Sequence, residues 1–149
     1  MYRTILVPLD GSMRAEAMLR HVEELAHRFG ANVILVQVVE PAPPIGVAEK
    51  AYANLHQQEI DQRITRAQSY LTGVQGILRE KGIHTQVRVV CGPVVEAIIN
   101  VARREDADLI AIASHGRSGL SQVFYGSVAA GVLHRIDRPL LLIRSRDGE

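Results

Sequence analysis

The residues with the most chemical character stand in one stretch, Ser114-His115-Gly116-Arg117-Ser118-Gly119, followed by Gly126-Ser127. Glycines let backbone amides approach a ligand with no Cβ in the way. A helix start just beyond them would present unpaired amides and a partial positive charge, which suits phosphate. Ser127 adds a hydroxyl, and Arg117 adds a cation with a planar fork of donors. The plainer reading is that the glycines only make turns, and the residues by themselves leave both open. Two more polar segments come directly after aliphatic runs: Asp10-Gly11-Ser12 and Val38-Val39-Glu40.

Other chemistry is sparse. The six histidines, His21, His27, His56, His84, His115 and His134, form no His-x-x-x-His pair and no Cys/His pair at metal-ligand spacing. The single cysteine excludes an internal disulfide; at the end of an apolar run, Cys91 reads as a small packed residue rather than a nucleophile. Ser118 lies in Gly-Arg-Ser-Gly, not in the Gly-x-Ser-x-Gly elbow of hydrolases. The P-loop Gly-x-x-x-x-Gly-Lys is absent, and Leu-Asp-Gly-Ser stands where a dinucleotide Gly-x-Gly-x-x-Gly would begin. Asp106 and Asp108 precede an apolar run, at the opposite end from the candidate site. No catalytic residue and no metal ligand is assigned.

The elements that must position these groups alternate. Thr4 to Pro8 is a short apolar run that reads as a buried strand, with Asp10 or Ser12 available to cap the next helix. Met18, Val22, Leu25 and Phe29 recur at helical spacing, and Gly30 stops the helix. Val33 to Val39 is a second strand, too apolar to face solvent. Glu40 to Lys50 reads as a loop, with Pro41, Pro43, Pro44 and Gly46 close together. Ile60, Ile64, Ala67, Leu71, Val74 and Leu78 then form a long helical stripe. Gly73 and Gly76 interrupt it, which close packing on a sheet would explain. Thr85 to Cys91 is strand three, Gly92-Pro93 opens a helix carrying Val95, Ile98, Ile99 and Ala102, and Leu109 to Ala113 is strand four. Val128, Val132, Leu133 and Ile136 mark a last helix beyond Gly126-Ser127, and Leu140 to Arg144 is strand five. Strands alternating with helices predict an α/β fold with a parallel sheet and helices on both faces. In such a sheet ligands bind beyond the carboxyl ends of strands where the winding reverses, which is where the three polar segments fall.

Composition narrows the function classes. The 149 residues form one domain by length, 1–149, with no internal repeat or second domain. Aromatics are 4%, too few for base-stacking platforms, and 17 basic against 16 acidic residues give no electrostatic footprint for nucleic acid or an anionic membrane. No apolar run is long enough to span a bilayer, and MYRTILVPLD does not resemble a secretory leader, so the cytoplasm is the expected location.

Ile5-Leu6-Val7-Pro8-Leu9-Asp10-Gly11-Ser12, the run Val33 to Val39, Ser114 to Leu120 with Gly126-Ser127, and Arg138-Pro139-Leu140-Leu141-Leu142-Ile143 together resemble the universal stress protein family along the whole chain. The resemblance implies a single-domain Rossmann-like fold, a five-stranded parallel sheet of order 3-2-1-4-5, and usually a homodimer. ATP-binding members resemble one another in a loop of Gly, two residues, Gly, nine residues, then Gly-Ser or Gly-Thr. Here Gly116, the nine residues 117 to 125, and Gly126-Ser127 match, while Ala113 stands at the first glycine. If that position needed positive φ the methyl would weaken binding; if not, it is harmless. The implied ligand is ATP, accompanied by Mg or Mn. Its phosphate side would be formed by Gly116, Gly119, Gly126 and Ser127 with His115 and Arg117, and its nucleoside side by Asp10 and the backbone of Val38. By the family's topology Leu140-Leu141-Leu142-Ile143 is an edge strand, so two copies would pair there with Arg138, Arg144 and Arg146 at the rim.

Three functions are open to such a chain. The first is an ATP-binding regulatory module of the stress response. The second is a dimeric stress protein that binds no nucleotide and acts through protein contacts. The third, weak ATP hydrolysis, has least support, because no general base, P-loop lysine or metal carboxylate pair is present.

Overall fold

The computed structural model describes residues 1–12, 16, 18–41, 49–114 and 122–144. Its elements run β1 (Thr4–Pro8), α1 (Leu19–Phe29), β2 (Asn32–Val39), α2 (Glu49–Glu80), β3 (Thr85–Cys91), α3 (Val94–Arg104), β4 (Leu109–Ala113), α4 (Gln122–Arg135) and β5 (Leu140–Ile143). The five strands form one sheet in the order β3-β2-β1-β4-β5, and every pair is parallel. That is the expected α/β architecture, the implied strand order included.

Strand alternation divides the core in two. Ile5, Val7, Val33, Leu35, Leu109 and Ala111 pack against Met18, Val22 and Ala26 at α1 and against Leu71, Val74 and Leu78 of α2. Leu6, Ile34, Val36, Ile110 and Ile112 pack against Ile98, Val101 and Ala102 of α3 and Val132 of α4. Both faces of the central strands are therefore hidden, which explains their unbroken aliphatic runs.

Polar side chains tie the amino-terminal edge of the sheet. Asp108 accepts from the amides of Arg3 (2.8 Å) and Thr4 (3.1 Å), fixing the start of β1 to the start of β4. Arg138 donates through Nη1 to the carbonyls of Ala102 (2.9 Å) and Ala107 (2.8 Å). Its guanidinium thus satisfies carbonyls at the end of α3. α1 ends as expected at Gly30, whose φ of 62° places it in the left-handed region.

Four local expectations are corrected. Cys91 is exposed, not packed, because β3 is an edge strand and Cys91 is its last residue. The stretch assigned to a loop up to Lys50 already belongs to α2 from Glu49. α4 starts at Gln122, so Gly126 and Ser127 lie inside it rather than ahead of it; no breaker stands between Gly119 and Gly126, and one interior glycine costs only about 1 kcal/mol. Gly73 and Gly76 are exposed, and a Cβ on either would meet nothing within 4 Å, so packing does not explain them.

Among the glycines whose surroundings are described, Gly131 of α4 is the one that packing requires: a Cβ there would lie 2.8 Å from Val95 Cγ2 and 3.3 Å from its Cγ1. Valine has one stiff χ1 torsion and cannot swing a methyl aside cheaply. Gly131→Ala should therefore destabilise the fold by about 1–2 kcal/mol, overpacking exceeding the gain in helix propensity. In a Val95→Ala background the same change should become neutral or stabilising. Gly73→Ala should stabilise by about 0.5–1 kcal/mol. Urea unfolding of the three variants and the double variant checks all three signs.

Candidate functional site

Strand register sets the geometry of the carboxyl edge. Pro8 is level with Val36, so two residues further along each chain Asp10 is level with Val38. The β1–β4 pairing runs from Ile5–Leu109 to Leu6–Ile110, and past it each chain continues to the carboxyl edge, one to Asp10 and the other to Ser114. Val38 is paired with Val90 and Ala113 with Ile143. Asp10, Val38 and Ser114 therefore all lie at the carboxyl edge, at the point where the chain winds from β1 toward β2 on one side and β4 lies on the other. Hydrogen bonds from the Leu9 amide to the Val36 carbonyl (2.8 Å) and from the Ser114 amide to the Ile143 carbonyl (2.8 Å) extend the pairing beyond the strand ends.

The β1–α1 connection is tightened by its own side chain. Asp10 Oδ1 accepts from the amide of Ser12 at 2.9 Å, and Gly11 between them has φ of 85°, which favours glycine. Asp10 therefore caps a turn and not the helix: α1 begins after Met18 with no side-chain cap. Ala113 is the last residue of β4 and has no positive φ; its methyl packs against the α1/α2 core. An alanine there is unstrained. Val38 is half-buried on the α3/α4 side. Ser127 is exposed in the second turn of α4, so the amides that the helix start leaves unpaired belong to residues 122 to 125. His115, Gly116, Arg117 and Gly119 lie outside the described residues.

Three further groups at this edge carry no motif. Among the described residues, the buried hydroxyl of Tyr70 on α2 and the buried Oε1 of Gln37 on β2 have no hydrogen-bond partner. Burial, then the negative charges of Glu16 and Asp10, push the Tyr70 phenol above its usual range. Burial also raises the Glu16 carboxyl. Arg63 of α2 donates through Nη1 to the carbonyl of Glu40 (2.8 Å), the residue just after β2. A lone Gln in an apolar strand or a Tyr or Arg in a long helix gives no spacing signal; only the fold brings them to the edge. Among the described residues no group of three or more His, Cys, Asp and Glu side chains gathers to hold a metal.

The sequence matches the universal stress protein family over residues 1–144. The chain belongs to that family. The universal stress protein MJ0577 of Methanocaldococcus jannaschii is 26% identical over 99% of this chain and 98% of its own. The solved MJ0577 structure superposes with a TM-score of 0.85 over 99% of both chains. The universal stress protein of Methanothermobacter thermautotrophicus is 30% identical over 97% of each chain. A universal stress protein of Archaeoglobus fulgidus solved in complex with dAMP is 24% identical, with a TM-score of 0.67 over 95% of this chain and 98% of that one. A further family structure, in complex with cAMP, is 22% identical with a TM-score of 0.62 over 96% and 97%.

In this universal stress protein Tyr70 should make the fold alkali-sensitive. Its folded pKa is raised, so the stability it confers is complete below the ordinary phenol value of 10.0 and is lost as pH rises through the higher folded value. Tyr70→Phe removes both this ionisation and the unpartnered hydroxyl. The variant should match or exceed the parent at pH 8 and gain on it steadily above pH 10. Denaturant unfolding at a series of alkaline pH values reads the difference; parallel curves would contradict it.

Proposed function

We propose that the carboxyl edge of the sheet binds ATP, and that nucleotide occupancy sets a conformational or partner state in the stress response. The observation that carries this reading is that Asp10, Val38 and Ser114 all come at the carboxyl edge beside the winding reversal, with the glycine-rich stretch and α4 following Ser114 in the chain. The spacing Gly116, nine residues, Gly126-Ser127 supports it, as do family structures in complex with dAMP and cAMP. Asp10 and the main chain of Val38 take the nucleoside. Gly116, Gly119, Gly126 and Ser127, with His115 and Arg117, take the phosphates of ATP, which would carry its own Mg or Mn. Ala113, unstrained in β4, does not oppose binding. The role is binding rather than catalysis.

Calorimetric titration with ATP tests the site, together with chromatography of nucleotide released on denaturing the purified protein. The parent should bind, Gly126→Val should lose at least tenfold in affinity, and Ala113→Gly should bind like the parent. A parent that binds no adenine nucleotide would favour the reading in which the protein acts through protein contacts alone.

The same proposal includes a homodimer through β5. This strand lies at the edge of the sheet, and Leu142 is 44% exposed while Leu140, Leu141 and Ile143 are half-buried. An antiparallel contact with a second β5 would pair the open backbone and cover Leu142. Light scattering at micromolar concentration should give twice the chain mass for the parent and the monomer mass for Leu142→Lys. A monomeric parent would end the dimer reading and leave the nucleotide reading standing.

A further inference from the structure

α2 is longer than the sheet it covers. Its last turn lies at the amino end of β3, since the amide of Ile83 donates to the carbonyl of Leu78 and the strand starts at Thr85. β3 has 7 residues and so spans roughly 20 Å, at about 3.3 Å per residue. At about 1.5 Å per residue the helix covers that distance in about 14 residues, reaching the carboxyl edge near residue 64. The bond from Arg63 to the Glu40 carbonyl marks the same level. The part of α2 before Arg63 therefore stands above the edge where Val38 and Asp10 end their strands.

The inward stripe of the helix continues past the sheet. Ala67, Leu71, Val74 and Leu78 are buried in the core, whereas Ile60, Arg63 and Ile64 are half-buried, and neither isoleucine belongs to a core cluster. These three positions are three and four residues apart and so adjoin on one helix face. Among the described residues Arg63 forms no ion pair. Its bond to Glu40 engages Nη1 with a neutral carbonyl, and such a bond lies in the guanidinium plane and does not use the faces of the group.

We propose that Ile60, Arg63 and Ile64 form a wall that covers the face of the purine base of the bound nucleotide, with the Arg63 guanidinium stacked on the ring. This rests on the nucleotide reading of the carboxyl edge. Two aliphatic side chains flanking a delocalised, weakly hydrated cation suit a π-face better than a phosphate. The bond to Glu40 holds the cation beside the β2 end, where the nucleoside side lies. Phosphates belong at the other side of the edge, toward α4.

Calorimetric titration of Arg63→Ala and Arg63→Lys with adenosine, AMP and ATP tests the wall, with thermal melts checking that both variants fold. Stacking predicts a loss of about three- to thirty-fold for Arg63→Ala that is the same for all three ligands. Arg63→Lys keeps a charge and a donor for Glu40 but lacks the planar group, so it should recover little of the loss. Full recovery in Arg63→Lys would show that the residue only holds the Glu40 carbonyl, and would overturn the proposal. A loss that grows from adenosine to ATP would assign Arg63 to phosphate and overturn it too, as would unchanged affinity. If the parent binds none of the three ligands, the nucleotide reading itself fails and the wall with it.

Discussion

The parallel register of β1 between β2 and β4 is the constraint on which the rest depends. Parallel strands all end on the same edge, so every connection must return along a face, and helices are the economical way to hide it. The chain moves from β1 to β2 to β3 in one direction, which places α1 and α2 on one face. α3 then carries it back past β1 to β4 on the other. A slip of one residue would turn Ile5 and Val7 toward α3 and α4 and Leu6 toward α1 and α2, disrupting two filled cores together. The same parallel order brings Asp10, Val38 and Ser114 to one edge, so the packing that stabilises the sheet also positions the candidate site.

That coupling decides which features are legible in the sequence. Buried parallel strands must be aliphatic throughout, and VILVQVV and LIAIA announce themselves. The turn at Asp10-Gly11 and the stop at Gly30 are visible because left-handed backbone favours glycine. Other glycines mislead, because a glycine tolerated on an exposed helix face has the same sequence signature as one demanded by a crossing helix. Gly73 and Gly76 are of the first kind, and Gly131, against Val95, is of the second. Local signals also misplace the start of α4, since a helix with no breaker ahead of it extends past a single glycine.

The groups that periodicity misses are those whose meaning is tertiary. Tyr70 and Arg63 are two turns apart on α2, and nothing in their spacing says that one lies beneath the β1–α1 turn and the other meets the end of β2. The length of α2 holds a clue. Its stripe from Ile60 to Leu78 exceeds what a 7-residue strand can cover. An isolated helical segment of that composition would be marginal in water. Here the packed carboxyl-terminal half propagates helix into the projecting half, which lets the fold raise side chains above the sheet edge without a second layer of core.

Electrostatics at the edge distinguish two orientations of a nucleotide there. Asp10 and Glu16 act on the buried Tyr70 phenol and so place negative charge beside the β1–α1 turn, while Arg63 brings a cation to the end of β2. A phosphate brought within about 4 Å of Asp10 would meet a repulsion of about 1 kcal/mol per charge pair in bulk water and about 4 kcal/mol at the effective dielectric of a protein surface. A ribose and base are neutral and incur none of this; sugar hydroxyls can donate to a carboxylate. In the proposed reading the nucleoside would therefore lie beside Asp10 and Val38, and the phosphates beside the glycine-rich stretch and α4. The orientation that Asp10 disfavours is also the one that would put phosphate against the Ile60 and Ile64 face. For the proposed nucleotide, the charge of Asp10 and the apolarity of Ile60 and Ile64, on different elements, would thus favour the same direction.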